Sequence, residues 1–242
     1  MTQIQFDRQR SIEEVARVFQ LFFAAGDVWE VRALGVAGRA NRTDSGYFND
    51  PARAAEVVVD SEAFLTARGM YFTLNPVMPA LLARACNRME PWATNTTKDH
   101  HVVRRTWLPV DCDAERPSGI SSSQQELTAA LERAEEVREW LMSYGLPEPV
   151  SAASGNGAHL LFPISYPNDE ESTAMIKRVL EATAHQFPGD GIKIDTSVFN
   201  AARIWRLYGT WARKGDSIPE RPHRVAEIKT VPDCMMEVSH VA

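Results

Sequence analysis

Cysteine is scarce in this chain, with only Cys86, Cys112 and Cys234 among 242 residues. The three are far apart, odd in number and without a CxxC pair, which argues against a disulfide framework or a zinc ribbon. Buried free thiols in a reducing cytoplasm are the expectation. Long apolar runs are missing as well. None approaches the ~20 residues of a membrane span, and the opening MTQIQFDRQRSIEE lacks the short apolar segment of a secretory signal. A cytoplasmic chain with no membrane partner is expected. There is no internal repeat, and SGISSS at 118–123 is the nearest approach to low complexity. Positive charge is in deficit, with 26 Lys and Arg against 32 Asp and Glu. That excludes a protein coated in positive charge, but not a local basic face. One such face is present: Arg203, Arg206, Arg213, Lys214, Arg221 and Arg224 outnumber Asp216 and Glu220. Apolar residues make up 44% of the chain, core enough for one large domain or two small ones.

The first hundred residues read as a mixed α/β module. Ser11 and Glu14 have capping-box spacing before a helix to about Ala25. VWEVRALGV and MYFTLNP read as strands, NRTDSGYFND as turn, and Pro51 as the first-turn proline of a second helix. PALLARACNRM reads as a short helix, and PWATNTTKDHHVVRR, which has no period, as a surface crossing. The middle of the chain is more regular. Trp107–Cys112 is a strand, and Gln124 to Tyr144 places Leu127, Leu131, Ala134, Val137 and Leu141 at helical spacing before Gly145. EPVSAAS and AHLLFPI are strands on either side of GNG, Asp169 to Phe187 is a helix, and GIKID is a last strand. The order β-α-β-β-α-β is that of the ferredoxin-like or RRM-like unit, an α+β fold.

In that unit the sheet order is 4-1-3-2, so the end of strand one lies beside the starts of strands three and four. Asp111 and Asp113 end strand one, His159 begins strand three and Asp195 follows in strand four. Side chains alternate along a strand. With Leu108, Val110 and Cys112 turned to the helices, all four polar residues project from the open face. Two carboxylates about 5 Å apart repel by roughly 3 kcal/mol at an effective dielectric of about 20. Mg²⁺ or Mn²⁺, one ion or two, converts that repulsion into ligation, since hard cations favour carboxylate oxygens. An isolated D-x-D is more often a polar strand end; convergence with Asp195 and His159 reverses that weighting.

SGNGAH, Ser154 to His159, is a hairpin turn whose small residues let backbone N–H groups approach an anion, although most such turns are only turns. Arg203 and Arg206, three apart and read as one side of a helix, suit phosphate oxygens, with Lys214 beyond a Gly209-Thr210 bend. The plainer alternative is a solvated amphipathic helix with Ile204 and Trp205 in the core.

These motifs together resemble the archaeo-eukaryotic primase superfamily, and within it the primase-polymerases of phages, plasmids and mobile elements. VDCD is similar to its first motif, SGNGAHLL to its second, and Asp195 in KIDTSVFN to its third. NAARIWRLYGTWARKGD, YFTLNPV and WLPVDCDAERPSGISSS resemble the phage-type members, over roughly residues 70–225. The resemblance implies a catalytic RRM-like module, residues 106–242, packed on an N-terminal α/β module, residues 1–105. It implies template-directed synthesis from NTPs or dNTPs on single-stranded DNA. Asp111, Asp113 and Asp195 would hold two Mg²⁺ or Mn²⁺ ions, with Ser154, Asn156, Gly157, His159, Arg203, Arg206 and Lys214 on the nucleotide. No zinc is expected, because no cysteine or histidine set supplies the zinc-binding insertion of some members. The helicase that often follows such a domain is not in this sequence, so a fused or separate helicase is the partner implied. Arg84, Arg88, His100, His101, Arg104 and Arg105 are candidates for the template. The competing readings are a palm-like nucleotide cyclase or dinucleotide synthase and a non-catalytic RRM-like single-strand-binding module. A nicking replication initiator is disfavoured, since His100 and His101 are adjacent rather than H-x-H.

Overall fold

The computed structural model describes residues 7–233. The chain runs α1 (Arg8–Phe22), β1 (Trp29–Leu34), β2 (Thr43–Phe48), α2 (Pro51–Asp60), α3 (Glu62–Thr66) and β3 (Gly69–Thr73) before an irregular crossing. It continues through β4 (Arg104–Ala114), α4 (Gln124–Ser143), β5 (Val150–Ala153), β6 (Gly157–Pro167), α5 (Glu170–Gln186) and β7 (Ile192–Ile194). Four short strands follow: β8 (Ile204–Arg206), β9 (Trp211–Ala212), β10 (Arg224–Val225) and β11 (Glu227–Thr230).

Two antiparallel sheets position the site, one ordered β2-β1-β3-β8 and the other β11-β5-β6-β4-β7. In the second sheet, Leu108, Val110 and Cys112 of β4 and Leu160 and Phe162 of β6 enter the core, while Trp107 and Leu161 are buried as well, at alternate positions. There they share one cluster with Ala130, Val137 and Leu141 of α4 and Ile176 and Leu180 of α5. Each such aliphatic or aromatic side chain contributes about 1.5–3 kcal/mol on full burial, which fixes the facing of its neighbours. A one-residue slip of β4 would bury Asp111 and Asp113 instead. Ser123 and Glu126 form a reciprocal capping box at the start of α4, so the helix begins where its first apolar residue meets the sheet.

The first sheet packs Trp29, Val31, Met70 and Phe72 against α1 and α2 through Val15, Phe19, Phe22, Ala55 and Val58. Phe22 stands 4.8 Å from Trp107, centroid to centroid, so the two sheets share a continuous core.

Several expectations are corrected here. NRTDSGYFND is not simply turn: residues 43–48 form β2, whose polar side chains are satisfied in place, Asp44 by Arg42 and Ser45 by Glu30. Gly46 is required there because a Cβ would come within 2.2 Å of the Arg88 carbonyl oxygen. Helix α1 starts a turn earlier than the Ser11 capping box: Asp7 caps it through the Arg10 N–H, and the Ser11 hydroxyl donates to the Asp7 carbonyl. The short helix at Pro79–Arg84 is a 3-10 turn. Arg203 and Arg206 do not share a helix face. Residues 204–206 are β8, paired to β3 with Tyr71 opposite Arg206 and Phe72 opposite Trp205. An unpaired β3 edge is a stronger demand than the local helical spacing, and Ile and Trp suit a strand. Cys86 is exposed and Cys112 buried, its thiol pushed up to about 12 mainly by burial. Cys234 lies outside the described residues. Among the described residues no helix is long and apolar enough to cross a membrane.

Candidate active site

Both sheets open on a cavity of about 180 Å³. The second sheet contributes Asp111 and Asp113 from β4, His159 from β6, Asp195 just beyond β7, and Ser154 and Asn156 from the β5–β6 turn. The first contributes Tyr71, Arg203, Trp205 and Arg206, and Lys214 closes the ring. The convergence comes from register: Asp111 pairs with His159 across β4–β6, and the Asp195 N–H donates to the Asp111 carbonyl oxygen at 2.9 Å.

The carboxylates differ in their surroundings. Asp111 has no guanidinium or ammonium bonded to it. Its carboxyl is pushed up to about 7 by burial first, then by the negative charges of Asp113 and Asp195. Asp113 is gripped by Arg116, with both oxygens taken at 2.6 and 2.9 Å. Asp195 accepts the Ser197 N–H at 2.8 Å. Opposite them, Lys214 is pushed down by desolvation. The Arg206 guanidinium lies over the Tyr71 ring, 4.3 Å from its centroid, and donates to the Tyr71 hydroxyl at 2.9 Å. Its Nη1 is buried and has no partner, as has Nε of Arg203.

His159 is neutral, lowered to about 3 by burial and by the nearby Arg206 charge. The 3.6 Å approach of its Nε2 to Asp111 is therefore not an ion pair. Tyr208 assigns its tautomer. The Tyr208 oxygen accepts from Trp205 Nε1 at 3.0 Å and lies 3.0 Å from His159 Nδ1. An indole N–H can only donate, and among the described contacts Nδ1 is the only acceptor for the buried phenolic proton, so that proton goes to Nδ1 and the histidine proton sits on Nε2, on the side of Asp111. Tyr208→Phe should leave two buried nitrogens without partners, at a cost of about 1–3 kcal/mol for each. A shift in the urea midpoint at unchanged slope checks this; an unchanged midpoint would contradict the relay.

The β5–β6 turn works differently from expectation. The N–H groups of Asn156 and Gly157 are already given to the Ser154 hydroxyl, at 3.3 and 2.9 Å, so they do not stand free for an anion. Asn156 Oδ1 accepts the Ser122 N–H, fixing the loop before α4. Gly157 serves close approach, because a Cβ there would lie 2.5 Å from the Cys112 carbonyl and 2.9 Å from Asp113 Oδ1.

The template candidates are not gathered at the cavity. Arg105 is buried, bonded to the Phe199 carbonyl and Thr173 hydroxyl, which removes it from any template-facing set. Arg104 pairs with Asp27 and Arg88 with Glu90. His101 accepts the Lys98 N–H, its ring against that of His100, and Arg84 donates to Tyr47. Sequence reasoning missed Tyr71, Trp205, Tyr208, Arg116 and Gly69. The first four are aromatic or basic residues beside known motifs, and only the β3–β8 pairing reveals what Tyr71 and Gly69 do. A Cβ on Gly69 would meet Arg206 Nη1 at 2.0 Å.

Among the described residues no group of three Asp, Glu, His or Cys side chains is assembled to hold a metal ion. The donor set nonetheless fits a hard divalent cation. Three carboxylates share one cavity, and their mutual repulsion helps hold Asp111 partly protonated at neutral pH.

No family model matches the sequence, and no curated protein matches it. Among solved structures, the chain is similar to the AEP domain of the cyanophage S-2L primase-polymerase. The identity is 15%, over 96% of this chain and 98% of that one, with a TM-score of 0.51. It is also similar to the polymerase domain of Mycobacterium tuberculosis ligase D, determined in complex with DNA. There the identity is 16%, over 89% of this chain and 79% of that one, with a TM-score of 0.49. The first likeness establishes a shared fold: the chain is built as a PrimPol AEP domain is built.

Proposed function

We propose that this fold serves a DNA-directed primase-polymerase, a nucleotidyltransferase using NTPs or dNTPs on single-stranded DNA in replication of a phage or mobile element. The observation that carries this reading is the cavity itself. Asp111, Asp113 and Asp195 face Arg203, Arg206 and Lys214 across a space of about 180 Å³, the charge pattern required by a metal-bound triphosphate. On this reading β4 to β7 form an RRM-like catalytic module from residue 106, residues 1–105 form the N-terminal module, and β8 crosses back to close the site between them.

Asp111, Asp113 and Asp195 would hold one or two Mg²⁺ or Mn²⁺ ions; an all-oxygen set does not favour zinc. Bound divalent ions would lower the pKa of an attacking 3′-hydroxyl and neutralise the leaving pyrophosphate. The chain's own residues do the rest. Arg203 and Arg206 line the cavity and would offer guanidinium donors to phosphate oxygens, and Lys214 adds a point charge. His159 offers its Nε2 proton from a buried, neutral ring. Ser154, Asn156 and Gly157 shape the turn that frames the nucleotide. Template contacts fall to basic residues between β3 and the start of β4, the exposed Arg84, Arg88 and His100 and the half-buried His101 and Arg104, by phosphate contact and stacking. A fused or separate helicase would supply the unwound strand.

The test uses labelled nucleotide and single-stranded template, with and without primer, in Mg²⁺, Mn²⁺ or EDTA. Incorporation should follow template sequence and stop in EDTA. A template-indifferent cyclic product would replace this reading with a nucleotide cyclase, and binding without incorporation would replace it with a single-strand-binding module.

A further inference from the structure

The cavity's three carboxylates are not equivalent, and the difference lies in Arg116. This residue follows Asp113 by three positions, in the turn out of β4. Its side chain is only 6% exposed. All three guanidinium nitrogens are used: Nη1 and Nη2 take the two Asp113 oxygens at 2.6 and 2.9 Å, Nη1 also reaches the Ala114 carbonyl, and Nε reaches the Ile120 carbonyl. The loop beneath it is pinned in turn, since the Ser121 hydroxyl donates to the Lys214 carbonyl and Arg221 donates to the Ser121 carbonyl. This is not a surface ion pair that forms and breaks freely. Asp113, 36% exposed, nevertheless still lines the cavity. Asp111 and Asp195 carry no such cation.

We infer that Arg116 is a resident counter-ion for Asp113, a positioning residue that competes with divalent cations and keeps the free protein's affinity for them low. The inference rests on the metal-binding reading given above. A bidentate guanidinium neutralises its carboxylate and fixes the plane of both oxygens. Any ion that needs Asp113 must therefore share it or turn it away from the fork. With Arg116 in place, Asp111 and Asp195 alone offer uncompensated charge to an incoming ion. A purely structural role for the pair makes the opposite forecast, because loss of the fork would then loosen the loop and weaken ion binding.

The test is Mn²⁺ titration of the full chain without nucleotide, followed by electron paramagnetic resonance, for wild type, Arg116→Gln, Arg116→Lys and Asp111→Asn. Arg116→Gln should bind Mn²⁺ on the order of tenfold more tightly, since a fixed positive charge at hydrogen-bond distance from a ligand is removed. Arg116→Lys keeps the charge but loses the fork, and should fall between the two. If Arg116→Gln does not fold, as judged by its circular dichroism melt, the lysine variant alone decides the matter. Equal or weaker Mn²⁺ affinity in the folded Arg116 variants, with wild type binding and Asp111→Asn not, would overturn this inference alone. Absence of binding in every protein would overturn the metal reading and this inference with it.

Discussion

Asp111→Asn should abolish nucleotide incorporation and, at the same time, make the metal-free protein more stable. The two effects have one cause. Asp111 is wedged between burial and two like charges, which raise its carboxyl from an ordinary 3.8 to about 7. A carboxyl raised on folding binds its proton more tightly in the folded state than in the unfolded chain. Its favourable contribution is therefore greatest below about pH 4 and is lost as pH rises towards 7. At pH 8 the ionised group costs the metal-free fold roughly 4 kcal/mol, on the conversion of 1.36 kcal/mol per unit. Asparagine keeps the shape and removes the charge. The Tm of metal-free Asp111→Asn should thus exceed that of wild type by at least about 5 °C at pH 8, given about 2–4 °C per kcal/mol for a chain of this size. The gain should shrink as pH falls towards 4. Activity should drop by about 10³-fold or more, as when a group stabilising transition-state charge is removed. A variant that is less stable at pH 8 would show that Asp111 is not strained, and one that still extends primers would show that it is not a ligand. His159 sets the acid limit. Lowered on folding to about 3, it contributes stability that is intact above about pH 6.5 and lost progressively as pH falls towards 3.

The part of the molecule that was legible in the sequence is the part governed by local period. Along β4 the alternation of Val110, Asp111, Cys112 and Asp113 dictates facing, and the observed register sets Asp111 opposite His159 and Cys112 opposite Ile194. Helices α4 and α5 announce themselves by apolar spacing, and the structure adds the caps at Ser123 and Asp169. Where the reading failed, a partner distant in sequence decided the structure. Residues 43–48 carry Thr, Asp, Ser and Gly, the composition of a turn, yet form a strand because Arg42 and Glu30 satisfy the Asp44 and Ser45 side chains. Spacing alone puts Arg203 and Arg206 on one helical face, but the edge of β3, more than a hundred residues away, recruits residues 204–206 as a strand and leaves Arg203 just before it. Arg116 was invisible for a related reason: an arginine three residues past an aspartate is commonplace, and only burial shows that it is locked. The Ser154 turn is instructive too. Its Gly157 reads from the sequence as part of a phosphate cradle, and the structure adds a demand of its own, the close approach to Asp113.

The same long-range pairing that escaped the sequence yields the second large effect, at Arg206. Strand β8 places its guanidinium over the Tyr71 ring with Nη2 bonded to the Tyr71 hydroxyl, while Nη1 lies buried against Gly69 with nothing to donate to. A cation 93% removed from solvent with one donor unpartnered is costly to hold, and an anion in the cavity that the residue lines would offset its charge. Arg206→Ala should weaken triphosphate binding by about 10²–10³-fold, the range for truncating one side of a buried charged hydrogen bond. The unliganded fold should be no less stable, because an underpaired buried charge has been removed. Arg206→Lys should not restore affinity, since an ammonium can neither lie flat on Tyr71 nor present two donors in a plane. Gly69→Ala supplies the sharper check. It alters no charge, yet its methyl would meet Nη1 at 2.0 Å and must push the guanidinium off the ring. Calorimetric titration with a non-hydrolysable triphosphate should therefore show Gly69→Ala losing affinity in the same direction as Arg206→Ala, with KM rising more than kcat falls. Unchanged triphosphate affinity in both variants would place the phosphates elsewhere in the cavity, on Arg203 and Lys214 alone.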